Sequence, residues 1–171
     1  MASLNDLLMI EGVAPENTTI FFHKPDPNWT SQDFVASAVK RALADDPHWR
    51  TFESAQWNNV AALAKDSAFA VRCVRNIKHY VFAGLLKIEA QWRETPDELE
   101  RDPDMIALRL AFGDDIAADA RALGKPEVTR FKFRRDPRLD WALGVCLLRP
   151  QGGQGTTRKA ATLPSPVLIA P

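Results

Sequence analysis

Apolar and β-branched residues alternate along two consecutive runs between Ala68 and Glu89, which meet at a short polar turn around Asn76 and Lys78. Both faces of each run are apolar at its middle. Strands covered on both faces lie in the interior of a sheet or in a small closed barrel. The pattern therefore predicts two central strands, and Gly84 in the second indicates a bend, a bulge or a close neighbour.

Apolar residues at helical spacing, preceded by capping residues, predict several helices around these strands. Ser3 and Asp6 have the spacing of a capping box for a short opening helix. The other predicted helices begin at Thr, Ser or Asp caps or at Thr-Pro and Asp-Pro pairs, and they cover residues 30–44, a segment from Asp46 through Gln56, residues 59–65, a segment from Thr95, and residues 114–123. Residues 105–112 fit a helix or a strand, and the preceding Asp102-Pro103 favours a helix.

Four further segments have the apolar and β-branched composition of strands, namely Thr18–His23, Glu127–Arg134, Leu139–Leu148 and Pro166–Ala170. Between the last two, residues 151–163 are rich in Gly, Thr and Gln, which predicts a mobile loop. The pattern as a whole predicts one α+β domain over residues 1–171. Its centre is an antiparallel or mixed, partly barrel-like sheet with several packed helices.

Composition agrees with a globular chain of this kind. The sequence has 171 residues, of which 46% are hydrophobic, enough for one domain with its own core. No run of about 18 apolar residues and no basic-then-apolar leader is present, so we expect a cytoplasmic protein. Cys73 and Cys146 each lie in an apolar run, which predicts reduced core residues rather than a disulfide.

Charge is balanced overall but separated along the chain. Lys and Arg number 22, as do Asp and Glu, yet residues 90–124 hold nine acids against four arginines. Residues 125–149 hold seven basic residues against three acids. This separation permits a partner with a charged surface, although solvated helix faces and edge strands account for it more readily.

The residue types needed for catalysis or metal binding do not cluster in the sequence. His23, His48 and His79 are widely spaced, and neither cysteine has a CxxC partner, so we predict no metal and no other cofactor. There is no GxSxG elbow, and no Lys-Ser or Lys-Thr pair follows the glycines at 152–155 to form a P-loop. A site assembled only in three dimensions stays open, but the pattern favours a non-enzymatic protein.

Basic residues alternate with phenylalanines along the predicted strand near Phe131. Side chains alternate along a strand, so cations occupy one face and phenylalanines the other. Such a stripe, extended by Arg135 and Arg138, can contact phosphates, although cations on an edge strand also discourage aggregation. The predicted nucleic-acid site comprises Arg130, Lys132, Arg134, Arg158 and Lys159 as phosphate contacts, with His23, Lys24 and Trp29 as candidate readers.

Several short segments along the chain resemble one family. They are Leu4–Leu8, Ile20–Pro25, Phe52–Gln56, Tyr80–Ile88, Trp141, Leu143–Val145, Arg149, Arg158–Ala160 and Pro166–Ile169. They are similar to a module found N-terminal to the nuclease in some bacterial GIY-YIG endonuclease proteins. The chain has neither a GIY nor a YIG tripeptide, so no catalytic residue can be transferred. The resemblance implies an accessory module that recognises DNA.

Two functions remain after these observations. The leading prediction is a non-enzymatic module that binds nucleic acid, most directly DNA, through the basic strand and the basic loop. The alternative is a protein-binding regulator or inhibitor in phage and host defence, which would use the acidic residues between Glu94 and Asp119 to mimic a nucleic-acid backbone.

Overall fold

The computed structural model describes residues 2–23, 33–44, 51–53, 67–76, 79–113, 115–148, 157–159 and 166–169. Helices α1 to α5 span Leu4–Ile10, Phe34–Leu43, Pro96–Arg101, Pro103–Phe112 and Ile116–Ala122. Strands β1 to β8 span Thr18–His23, Thr51–Glu53, Phe69–Arg75, His79–Glu94, Val128–Asp136, Cys146–Leu148, Thr157–Lys159 and Val167–Leu168. Two 3-10 turns lie at Pro15–Asn17 and Pro137–Ala142. The α+β class is confirmed.

The strands form one mixed sheet with the order β2-β5-β4-β3-β1-β7. β1 and β3 are parallel, whereas the other described pairs are antiparallel. β6 pairs with the first half of β4, and β8 pairs with β6. Over the residues described, the sheet ends at β2 and β7 and is not closed into a barrel. β3 and β4 occupy its middle, as their two apolar faces predict.

Gly84 produces a bulge in β4. Val71 lies opposite Leu85 and Cys73 lies opposite Phe82, so Ala83 and Gly84 together face one residue of β3. Gly84 has φ +127°, a conformation that residues with a side chain rarely adopt. β4 pairs with β6 before this bulge and with β5 after it. The bulge therefore lies where β4 changes partners.

One face of the sheet is covered in two separate places, one around Leu85 of β4 and the other around Val128 of β5. In the first, Leu4, Leu7 and Leu8 of α1 pack with Leu85 of β4 and Leu139 of the second 3-10 turn. In the second, α3, α4 and α5 pack on Val128 of β5 through a cluster of buried residues, namely Leu99, Met105, Ala117 and Ala120. Between these two covers, the side chains of Lys87, Lys132 and Arg134 are exposed.

The opposite face carries a helix and an aromatic cluster. Phe34 and Ala38 of α2 pack on residues of β3 and β4. Phe21 lies edge-on to Phe131 and Phe133, with ring centroids 5.5 and 5.3 Å apart. Both phenylalanines of β5 are buried, as their alternation with the cations predicts.

The two ends of the described chain are bonded to each other. The amide of Leu4 donates to the carbonyl of Pro166 at 2.8 Å, and the amide of Leu168 donates to the carbonyl of Ala2 at 2.9 Å. Ser3 also forms a bridge with Val167. These contacts attach the start of α1 to β8.

Three sequence predictions about secondary structure are wrong in part. Residues 139–148 are not one strand, because Asp136 caps the Arg138 amide and Pro137 begins a 3-10 turn, which leaves only Cys146–Leu148 as β6. Residues 51–53, predicted as helical, form β2 against β5. Residues 157–159, predicted as part of a mobile loop, form β7 against β1.

Other secondary-structure predictions are confirmed or lie outside the described residues. α1 begins with the Ser3 and Asp6 capping box, β1 has the predicted bounds, and 105–112 is helical behind the Asp102 cap. The predicted helix at 59–65 and most of 151–163 fall outside the described residues. None of the described helices is both long and apolar enough to cross a membrane.

Candidate nucleic-acid interface

Arg130 lies inside the protein and not on its surface. Its side chain is fully buried, and its Nη1 donates to Asp102 Oδ2 at 2.6 Å and to Glu94 Oε2 at 3.1 Å. The guanidinium also lies 5.3 Å from the centre of the Trp92 ring. A buried cation bound to two carboxylates cannot contact a phosphate backbone, so its predicted role is wrong.

The two carboxylates beside Arg130 titrate differently. Burial raises the pKa of Glu94, and the hydrogen bond that it shares with Asp102 raises it further, against the attraction of Arg130. Burial also acts to raise the pKa of Asp102, but the hydrogen bond from Glu94 and the charge of Arg130 outweigh it and lower this pKa. Glu94 is therefore the member of the pair that takes up a proton first.

Lys132 and Arg134 are exposed on the same sheet face, between the two covers. Lys87 of β4 lies directly opposite Arg134 and is also exposed. Lys132 lies opposite Ala90 on one side and Thr51 on the other, so β5 is flanked by two strands there. Protection of an edge strand therefore does not explain Lys132.

A cavity of about 420 Å³, which we call the basic cleft, continues from these residues. It is lined by Lys87, Arg134, Arg135, Asp136, Pro137 and Arg138, that is, by four cations and one carboxylate. Lys132 lies next to it on β5, two residues from Arg134. The first half of the predicted stripe is therefore buried and the second half is open.

Asp136 holds Arg138 in place at the wall of the basic cleft. Arg138 Nη2 donates to Asp136 Oδ2 at 2.9 Å, and its Nε donates to Oδ1 at 3.1 Å. The hydrogen bond from Arg138 lowers the pKa of Asp136 below its ordinary value, against the effect of burial. The guanidinium also stacks 5.2 Å from the Phe69 ring centre. Arg138 is thus fixed before any ligand arrives.

The remaining predicted site residues do not join the basic cleft. Arg158 and Lys159 lie on β7, at the far side of β1, and four strand spacings of about 4.8 Å place β7 roughly 19 Å from β5. His23 ends β1, and burial, followed by the charge of Arg72, lowers its pKa well below the usual value. Lys24 and Trp29 fall outside the described residues.

Lys87 is the cation of the basic cleft that the sequence analysis did not identify. Its signal was present, since it interrupts the apolar run from Tyr80 to Ile88. Strand pairing brings it to the cleft, because β4 places Lys87 opposite Arg134. Of the eight predicted residues, the structure brings together Lys132 and Arg134.

Several acidic residues between Glu94 and Asp119 form ion pairs with arginines of the protein itself. Glu94 and Asp102 bind Arg130, and Arg121 of α5 binds both Glu100 and Asp97, the latter at 2.7 Å. Asp97 and Glu100 therefore join α3 to α5, Asp102 joins the α3–α4 boundary to β5, and Glu94 joins β4 to β5. Within the described ranges, no three His, Cys, Asp or Glu side chains are grouped to hold a metal ion.

Comparisons with known proteins add little to this geometry. No protein-family model matches the chain, and no curated protein matches it. A mutant of the ZmASCH protein from Zymomonas mobilis is similar in structure, with a TM-score of 0.35 and 14% sequence identity. The likeness covers 70% of this chain and 69% of that one, and it is too remote to inform function.

Proposed function

We propose that this chain is a non-enzymatic nucleic-acid-binding module that holds phosphates in the basic cleft and at Lys132. The observation that carries the proposal is a row of exposed cations on one sheet face. The row lies between the part of the face covered by α1 and the part covered by α3, α4 and α5. Lys87, Lys132 and Arg134 lie close together there because β4 and β5 are paired in this register. Surfaces of this kind attract phosphates and release counterions on binding.

The cations of this row are available to a ligand. Neither Lys87 nor Lys132 has a carboxylate within ion-pair distance among the described residues. Arg134 lies 3.4 Å from Glu89, and Arg135 lies 3.7 Å from Asp140, both with exposed or half-exposed partners. Exposed pairs of this length stabilise a protein by less than about 1 kcal/mol, so phosphates can replace their carboxylates at little cost.

DNA is the leading partner because of the resemblance to an accessory module of GIY-YIG nucleases. In that case the chain supplies recognition and another protein supplies the chemistry. The protein-binding alternative has a narrower basis, since Glu94, Asp97, Glu100 and Asp102 are engaged in internal ion pairs.

The proposal is tested by fluorescence anisotropy of a labelled DNA titrated at several salt concentrations. We expect binding that weakens steeply with salt. The double change Lys132→Glu and Arg134→Glu should weaken binding by roughly tenfold or more and reduce the salt slope by about two, one for each lost phosphate contact.

The matched control is Lys40→Glu, an exposed lysine of α2, which packs on the other face of the sheet. It changes net charge without touching the cleft, so affinity should stay within about threefold of the unchanged protein. No DNA binding at low salt would refute the proposal. The single change Lys132→Glu alters net charge as much as the control does, so equal losses in these two variants would show an effect of net charge alone and would also contradict it.

A further inference from the structure

We propose that the nucleic acid bound at the basic cleft is single-stranded and that Trp141 stacks on one of its bases. This inference rests on the proposed function and specifies its substrate class. It is carried by an exposed tryptophan whose position is fixed beside the cleft.

Several large apolar side chains are exposed among the described residues, and Trp141 is the aromatic one. It leaves 58% of its surface open, although it belongs to the turn that carries buried Leu139 and Ala142. Its indole Nε1 donates to Glu11 Oε1 at 3.0 Å, which holds the ring by its polar edge. A ring held in this way has already lost much of its rotational freedom, so stacking on it costs little entropy.

Glu11 joins Trp141 to the basic cleft. The backbone carbonyl of the same residue accepts from Arg138 Nη1 at 3.4 Å, and Arg138 lines the cleft. The stacking surface and a phosphate-binding guanidinium are therefore attached to one residue at the end of α1. A strand with phosphates along Lys132, Arg134 and Arg138 can place a base on Trp141.

The accessible ring selects single strands over duplexes. Bases in a duplex are stacked on their neighbours and present only their edges, whereas a single strand can turn a base outward onto an aromatic face. Cations on a groove combined with an aromatic platform are the usual composition of sites for single strands. The cleft has both parts.

The experiment compares an oligothymidylate of about 12 nucleotides with a duplex of equal length, within the range of site sizes for such proteins. We expect the unchanged protein to favour the single strand. Trp141→Leu should weaken its binding by about fivefold to a hundredfold, because one stacked base is lost. Trp141→Phe should recover most of this affinity, and the salt slope should be the same in all three proteins, because the phosphate contacts remain.

Leu110→Ala is the control, since Leu110 is a highly exposed apolar residue of α4. It should bind as the unchanged protein does. Oligothymidylate binding that is unaffected by Trp141→Leu, or lost equally for the duplex, would overturn the role of Trp141 while leaving the proposed function in place. If neither nucleic acid binds, both proposals fail.

Discussion

Arg130 shows how a residue can lie on the predicted face and still have a different role. Alternation along β5 places it with Lys132 and Arg134, as the sequence predicts, but α3, α4 and α5 cover that end of the strand. Which part of a face is covered depends on how α3, α4 and α5, which connect β4 to β5, fold back onto the sheet, and the alternation along β5 does not report it. The nearby Glu94 and Asp102 were visible in the sequence, yet their meeting with Arg130 depends on the fold.

We expect Arg130→Met to lower the free energy of unfolding by about 3–5 kcal/mol, because it leaves two mostly buried carboxylates without their cation. Urea denaturation measures this change. The control is Arg93→Met, which removes an exposed ion pair with Glu127 at 3.6 Å and should cost less than about 1 kcal/mol. Equal costs for the two changes would contradict a structural role for the Arg130 ion pairs.

At the scale of elements, capping residues and apolar patterns predicted where several helices and the long strand β4 lie. The capping box at Ser3 located α1 and the Thr95-Pro96 start located α3. The long apolar run located β4, although this strand continues to Glu94 beyond its predicted end. The predictions were wrong for segments whose secondary structure depends on pairing with another strand. Residues 51–53 and 157–159 become strands because β5 and β1 offer them partners. Their own composition contains no such information.

We expect Gly84→Ala to reduce the free energy of unfolding by about 1–3 kcal/mol, measured by urea denaturation. A methyl group would find room there, since it would meet Leu143 at 3.8 Å, so the cost comes from the φ of +127°. Ala90→Gly, at an exposed position of the same strand, should cost only about 0.5–1 kcal/mol from lost backbone rigidity. A Gly84→Ala protein as stable as the original would show that the bulge does not need glycine.

At the scale of the whole molecule, strand order decides which charges act together. β5 and β7 both contain basic residues, and the sequence predicted a shared role for them. The sheet separates them by β4, β3 and β1, while it adds Lys87 to the β5 group. Strand order follows from long-range pairing, which periodicity along the chain does not encode.

We therefore expect the double change Arg158→Glu and Lys159→Glu to leave the salt slope of DNA binding nearly unchanged. The reason is the separation of roughly 19 Å, about two Debye lengths at physiological salt. The same anisotropy titration measures it, with the double change at Lys132 and Arg134 for comparison. A slope reduced equally by both changes would indicate one continuous surface around the sheet.

The backbone hydrogen bonds between Ala2–Leu4 and Pro166–Leu168 affect the order in which the protein can fold during its synthesis on the ribosome. α1 emerges before the strands of the sheet, and β8 emerges only after β1 to β7 have been made. Until then the apolar side of α1, with Leu4, Leu7 and Leu8, lacks part of its support and remains open to chaperones or to neighbouring chains. The contact between α1 and β8 thus forms only after the other described strands have been synthesised.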